Sequence, residues 1–443
     1  MKIKLLSVIV SFLLLSIGIS SCLDSDETYE FSTDATVHAF GLDTIYGKHY
    51  TFTIDQLNRL IYNRDSLPVG ADTLIDRILI DTFSVTGWVT SGSPIDTIFN
   101  MADSVDLRPA MNSEGMKFKV FAADGVTSRE YTLQVRVHLQ DPDSLMWNNM
   151  EAYGAPFAEM PVAGEQRCVI LHNELLLYTG NQTIYRTSTL TGEYGWSQSA
   201  TEGLPADALP TTLIQFGGRL YMLTPEGDVF TSGNGTKWSR SEGLSGTTKA
   251  LVAAMEADEL AGRPAMLAGI GQDAEGMTRF CTTTDGATWS YGEEVPEGFP
   301  TRNIYHTMQL SATGTKKCVA VGMPATQPEA TVPWFTTDGT GWAQLNNTAY
   351  DTYCPILNNP SIFYYGDRFY CMGEGFEALY ASITALAWRA TEEKVLLPEG
   401  LKGVISYSMA VDDNRFIWIV AAGQGTPNAV WRGRLNKFGF DIQ

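Results

Sequence analysis

One short pattern occurs three times and constrains the fold of this chain more than any other feature. Its copies are Ser232, Asn234, Gly235 and Trp238; Thr283, Asp285, Gly286 and Trp289; and Thr336, Asp338, Gly339 and Trp342. In each, a hydroxyl residue stands two before Asp or Asn, Gly follows, and Trp comes four after the Asp or Asn. Asp and Asn accept hydrogen bonds from nearby backbone N–H groups and close tight turns. Gly supplies positive φ, and the indole is a large apolar anchor. An internal repeat with a period of some tens of residues marks a solenoid, a propeller or an array.

Degenerate copies extend the series. Ser382 and Trp388 keep the hydroxyl–indole spacing, residues 185–196 keep strand, turn and Trp with an insertion, and Phe440 stands where a last Trp would be. The aromatic marks Trp196, Trp238, Trp289, Trp342, Trp388 and Phe440 lie 42 to 53 residues apart. Each unit has an apolar strand before the turn (around Leu176, Tyr221, Leu267, Val319, Tyr370 and Ile417) and another before that. A third strand carries an aromatic in every unit: Tyr185, Phe230, Phe280, Trp334, Tyr380 and Trp431. Four strands per unit and six units predict an all-β chain ending in a six-bladed β-propeller over 151–443. The alternative is a seven-bladed ring, with 147–165 supplying a further blade. These apolar residues and indoles are core by default. The recurring Glu202–Gly203–Leu204, Glu242–Gly243–Leu244, Glu297–Gly298–Phe299 and Glu399–Gly400–Leu401 read as punctuation between blades.

The turn resembles the Asp-box of sialidase-like propellers, with one residue fewer between Asp and Trp. The resemblance makes Asn234, Trp238, Asp285, Trp289, Asp338 and Trp342 structural. It places such turns between third and fourth strands, away from the ligand face. That face would then be built by the crossings 291–303, 343–357 and 389–403 and the loops 271–278, 323–331, 372–378 and 422–428. Their polar and aromatic residues nominate Arg302, Tyr305, His306, Tyr350, Asp351, Tyr353, Glu374 and Glu377 as ligand-binding. For a sialidase the resemblance also implies an arginine triad, a Tyr–Glu nucleophile pair and an acid–base Asp. The early Phe-Arg-Ile-Pro string of that family is absent, and the nearest stretch, 155–159, has no arginine.

The N-terminus reads as a secretion signal. Lys2 and Lys4 precede an apolar run over 5–19, and small residues lead to Cys22. The run is short for a membrane span. The string Ile19–Ser20–Ser21–Cys22 resembles a bacterial lipobox, which implies removal of 1–21 and a lipid on Cys22 that ties the protein to the outer membrane. The acidic tether 22–28 resembles the surface-export signal of Bacteroidetes lipoproteins; a solvated acidic linker is the plainer reading. Residues 29–140 read as β-rich. Phe118 and Val120 alternate with Lys117 and Lys119, and Tyr131, Leu133 and Val135 alternate with Thr132, Gln134 and Arg136, with Asp124 and Gly125 supplying the turn. Residues 53–63 fit either a short helix or a strand. The stretch from Val105 to Leu133 resembles an Ig-like β-sandwich spacer of Bacteroidetes surface lipoproteins, members of uncharacterised families. Asp141, Pro142 and Asp143 mark a break, and 141–150 is expected as a linker.

The net charge of −20 disfavours nucleic-acid partners, because binding phosphates needs Lys and Arg clusters. If Cys22 carries lipid, Cys168, Cys281, Cys318, Cys354 and Cys371 remain, an odd number, mostly within apolar runs that suit buried thiols. No Cys or His spacing suggests a metal, no phosphate loop or hydrolase string appears, and no cofactor is expected. Three functions from different classes remain. They are a non-catalytic carbohydrate-binding or recognition lipoprotein, a protein-interaction scaffold of an outer-membrane complex, and a glycosidase of which Glu374 and Asp351 would be the carboxylate pair.

Overall fold

The computed structural model describes residues 30–436 except 92–96, 140, 154–156, 158–159, 163, 181, 191, 312, 327–329, 347–353 and 424. Cys22, the tether, Phe440, Tyr350, Asp351 and Tyr353 therefore lie outside the described residues. The chain divides into two compact units, Met1–Asp141 and Pro142–Gln443.

Alternating residues build the first unit. Phe118, Val120, Tyr131 and Leu133 are buried on one face of the antiparallel pair Met116–Phe121 and Ser128–Gln134. The turn between them closes on the Asp124 carboxylate, which accepts the Val126 and Thr127 N–H groups at 2.9 and 2.8 Å. The ambiguous stretch is a hairpin, Phe52–Asp55 with Leu60–Asn63, whose second strand runs parallel to Ser128–Gln134. Trp88–Ser91 completes a five-stranded sheet. A second sheet, Val37–Gly41 with Thr82–Val85, packs against it, Phe83 meeting Phe118 edge-to-face at 5.3 Å. The unit is a two-sheet sandwich around one apolar core.

Six four-stranded antiparallel sheets build the second unit. Their innermost strands are Gln166–Leu171, Leu209–Phe216, Thr248–Met255, Arg302–Leu310, Ser361–Tyr365 and Tyr407–Val411, in blades one to six. The aromatic third-strand residues Tyr185, Phe230, Phe280, Trp334, Tyr380 and Trp431 all fall in the third strand of their blade.

The sixth blade departs from expectation. Its fourth strand is Ser144–Asn149, which pairs antiparallel with Thr426–Asn436 and places Trp147 opposite Gly433. The segment expected as a linker thus supplies the strand that closes the ring, and the described residues form six blades rather than seven. Closure by a strand distant in sequence leaves no local repeat to read, and the turn residues beside it resemble a domain break.

The recurring turns join neighbouring blades. Asn234 Oδ1 accepts the Thr236 and Lys237 N–H groups at 3.0 and 2.9 Å, and Asp285 Oδ1 accepts those of Ala287 and Thr288 at 2.8 and 3.2 Å. Asp338 Oδ1 accepts the Thr340 N–H at 2.9 Å. The hydroxyls of Ser232, Thr283 and Thr336 accept the N–H of the following Gly in each copy. The turn of blade two is strapped to blade one: Trp238 N donates to the Glu202 carbonyl at 2.8 Å and Glu202 N to the Thr236 carbonyl at 2.9 Å. The Glu-Gly-Leu repeats lie at these crossings. A Cβ at Gly243 would stand 2.0 Å from the Ala287 carbonyl oxygen, while Leu204, Leu244, Phe299 and Leu401 are buried.

Candidate functional site

Propeller blades pack through their apolar faces, but the innermost strands line a shared axis and need not be apolar at every position. Here all six innermost strands border one cavity of about 840 Å³. Its lining includes Phe216, Gly217, Arg219, Glu256 and Asp285, which lie where first strands turn into second strands or beside third-to-fourth turns. No described residue of the crossings 291–303, 343–357 or 389–403 lines it. The cavity therefore opens at the end that carries the Asp and Asn turns.

The opposite end has a floor. Arg167, on the innermost strand of blade one, is 6 % exposed. Its guanidinium reaches blade four, donating to the Ile304 carbonyl and, at 3.1 Å, to Asn303 Oδ1. It lies 3.6 Å from the centroid of the Tyr305 ring, a cation–π contact strengthened by exclusion of water. The Tyr305 hydroxyl meets Ser408 Oγ of blade six at 3.5 Å, and Ser408 Oγ accepts the Cys168 N–H at 2.6 Å. Gln166 Nε2 donates to Ser406 Oγ at 3.3 Å. Arg167 thus neighbours a carbonyl, an amide oxygen and a ring, and its positive charge stands at the base of the cup.

His306 occupies the wall. Its Nε2 accepts the Ala254 N–H of blade three at 3.1 Å, which requires the neutral ring protonated at Nδ1. Burial, with a smaller contribution from the Arg167 charge, pulls the imidazole down to about 4. Both carboxylates that line the cavity among the described residues are engaged. Glu256 Oε2 pairs with Lys316 Nζ at 2.6 Å. The backbone N–H groups and the Thr283 hydroxyl hold the Asp285 carboxyl below its ordinary value.

Of the residues nominated from sequence, Tyr305 and His306 come together in this cavity. Arg302 begins the same strand but lies at its other end, exposed and opposite Met323. Glu374 sits in the loop after the second strand of blade five, half-buried, accepting a hydrogen bond from Asn359 Nδ2, and Glu377 is exposed beyond it. Arg167, Gln215, Glu256 and Tyr364, which also line the cavity, were not nominated. The available signal was a charged or amide side chain inside an otherwise apolar innermost strand, as at Arg167 and Gln215.

The fold and cavity define a two-unit all-β protein ending in a six-bladed β-propeller with an axial cup. The chain belongs to the DUF6242 family: the DUF6242 beta propeller domain matches residues 141–443, and the DUF6242 N-terminal domain, a domain of unknown function, matches residues 23–135. No curated protein matches the chain. Among solved structures it is similar to a structural genomics protein of unknown function from Bacteroides thetaiotaomicron, at 11 % identity over 86 % of this chain and 98 % of that one, with a TM-score of 0.42. It is also similar to the Aleuria aurantia lectin solved with Fucα1-6GlcNAc, at 12 % identity over 63 % and 97 % of the chains, with a TM-score of 0.39. A third is AofleA from Arthrobotrys oligospora, at 13 % identity over 65 % and 86 %, with a TM-score of 0.37.

Proposed function

We propose that this is a lipid-anchored, surface-exposed recognition protein that binds a carbohydrate, without catalysis, in the axial cup of its propeller. The observation that carries the reading is the cup itself: a cavity of about 840 Å³ bordered by every blade. That volume suits a small ligand, since such sites span about 300–1,000 Å³. The wall mixes aromatic surface from Phe216, Tyr305 and Tyr364 with the polar groups of Gln215, Thr307 and Arg167. A sugar presents both an apolar ring face and hydroxyls, and this mixture matches it.

The state of the two carboxylates described in the cavity lining supports binding without hydrolysis. A glycosidase needs a protonated general acid with a raised pKa. Asp285 is instead held ionised by its turn, and Glu256 is ion-paired with Lys316. The anchor and surface location rest on Cys22 and on the acidic residues Asp24, Asp26 and Glu27. The net charge of −20 favours neutral or cationic ligands over polyanions such as nucleic acid.

A glycan array probed with the full chain and with Gln215→Trp, which puts an indole into the cup and narrows it, tests the reading. The wild type retains a defined glycan class, and the variant, folded by circular dichroism, loses at least tenfold in signal. Unchanged binding by the variant, release of product from a bound glycan, or no binding to any glycan overturns the proposal.

A further inference from the structure

We infer that the cup takes an acidic sugar, with Arg167 at its floor receiving the carboxylate of a hexuronic acid that enters as the non-reducing end of its chain. The assignment rests on the recognition reading above and names the ligand class of that same site. Arg167 follows Gln166 in the innermost strand of blade one and is 6 % exposed, yet it lines the cavity. Arginine at such depth is almost always paired with an anion. Among the described residues, none of the ion pairs includes Arg167. The two carboxylates described in the lining are committed elsewhere, Glu256 to Lys316 and Asp285 to its own turn. The hydrogen bonds of Arg167 go to neutral acceptors, Asn303 Oδ1 and the Ile304 carbonyl, and use two of its five N–H donors. The Tyr305 ring, 3.6 Å away, covers one face of the guanidinium. A positioned, charged, planar donor set with donors to spare thus borders the cup, and a carboxylate is the group that matches it.

Depth selects the kind of acid. A glycan entering from the end that carries the turns leads with a terminal residue and trails its glycosidic bond toward Phe216 and Glu256. In a hexuronic acid the carboxylate is carried on C5, beside the C4 edge that a non-reducing terminus presents first. It therefore leads into the cup toward Arg167. A carboxylate on the anomeric carbon would instead sit beside the glycosidic bond, nearer Glu256 and Asp285. The sugar ring behind the carboxylate meets the aromatic surface of Tyr305 and Tyr364. The net charge of −20 does not prevent such a pairing. Exposed charges beyond about 8 Å are screened at physiological salt, whereas a contact with a guanidinium withdrawn from water is screened much less.

Titration calorimetry of the full chain tests this with trisaccharides of galacturonic acid and of glucuronic acid, their methyl esters, and their galactose and glucose counterparts. At least one acid should bind about tenfold or more tightly than its ester, which keeps the ring and removes the charge. In Arg167→Gln that acid and its ester should bind alike. Equal binding of acid and ester by the wild type, or a preference for the acid that survives in Arg167→Gln, overturns the inference. The wild-type comparison decides even if the variant fails to fold. The two readings fail separately. Silence toward both acids while the protein retains a neutral glycan removes the acidic-sugar assignment and leaves carbohydrate recognition standing; silence toward every glycan removes both.

Discussion

Lowering the pH should loosen the propeller through His306. In the folded chain its ring is held neutral, titrating at about 4, against 6.5 for the free side chain. Between those values the unfolded chain takes up a proton that the folded one refuses, so stability falls as pH drops from 6.5 and the loss is complete near 4. A difference of about two and a half units corresponds to about 3 kcal/mol. Protonation would also break the bond from Ala254 N–H to Nε2, which joins blades three and four. The comparison is wild type against His306→Gln, by urea denaturation at pH 7.5, 6.5, 5.5 and 4.5. Gln removes the titrating group and keeps an acceptor for Ala254. Asp258, Asp273 and Asp285, whose pKa values are lowered, lose their own stabilisation as pH falls, but they do so in both proteins and cancel. Wild type should lose about 2–3 kcal/mol more than the variant over this range. Parallel curves, agreeing to about 0.5 kcal/mol, would refute the placement of a half-buried neutral ring at this position.

Three further outcomes follow from the same structure. Trp238→Ala removes an indole that donates to the Gly235 carbonyl and meets Tyr178 edge-to-face at 5.6 Å; chemical denaturation should show a loss of about 3–5 kcal/mol. At Gly433 a Cβ would stand 2.4 Å from the Trp147 ring, so Gly433→Val should prise the closing strand from blade six and lower Tm by about 5–10 °C in calorimetry, whereas Gly195→Val, with nothing within 4 Å, should leave it unchanged. Cys22→Ala should abolish metabolic labelling with a radiolabelled fatty acid and move the protein from the membrane to the soluble fraction; continued membrane retention would contradict the anchor.

The blades were legible in the sequence because their marks are local. Each turn couples a hydroxyl, an Asp or Asn, a Gly and a Trp within seven residues, and every bond that closes it falls inside that window. The copy at Ser382 persists even with Ala385 at positive φ in the Gly place, because the Ser382 hydroxyl still accepts the Ala385 N–H at 2.9 Å. Ring closure was not legible, since pairing of Ser144–Asn149 with Thr426–Asn436 joins the two ends of the propeller. The floor of the cup was hidden for a similar reason. Arg167 is followed by Cys168, Val169 and Ile170 and reads as a strand residue, yet its partners Asn303, Ile304 and Tyr305 lie more than a hundred positions away. The described residues of the loops chosen from family resemblance lie at the other end of the axis, so among the described nominees only Tyr305 and His306, on an innermost strand, joined the cavity.

A crystal structure of the protein with an oligosaccharide selected from the array tests the axial-cup account most directly. The account predicts sugar density inside the ring, its innermost residue near Arg167 and Tyr305 and its remainder leaving past Phe216 and Glu256. Density confined to the crossings around Arg302 and Glu374, or to the sandwich unit, would contradict it.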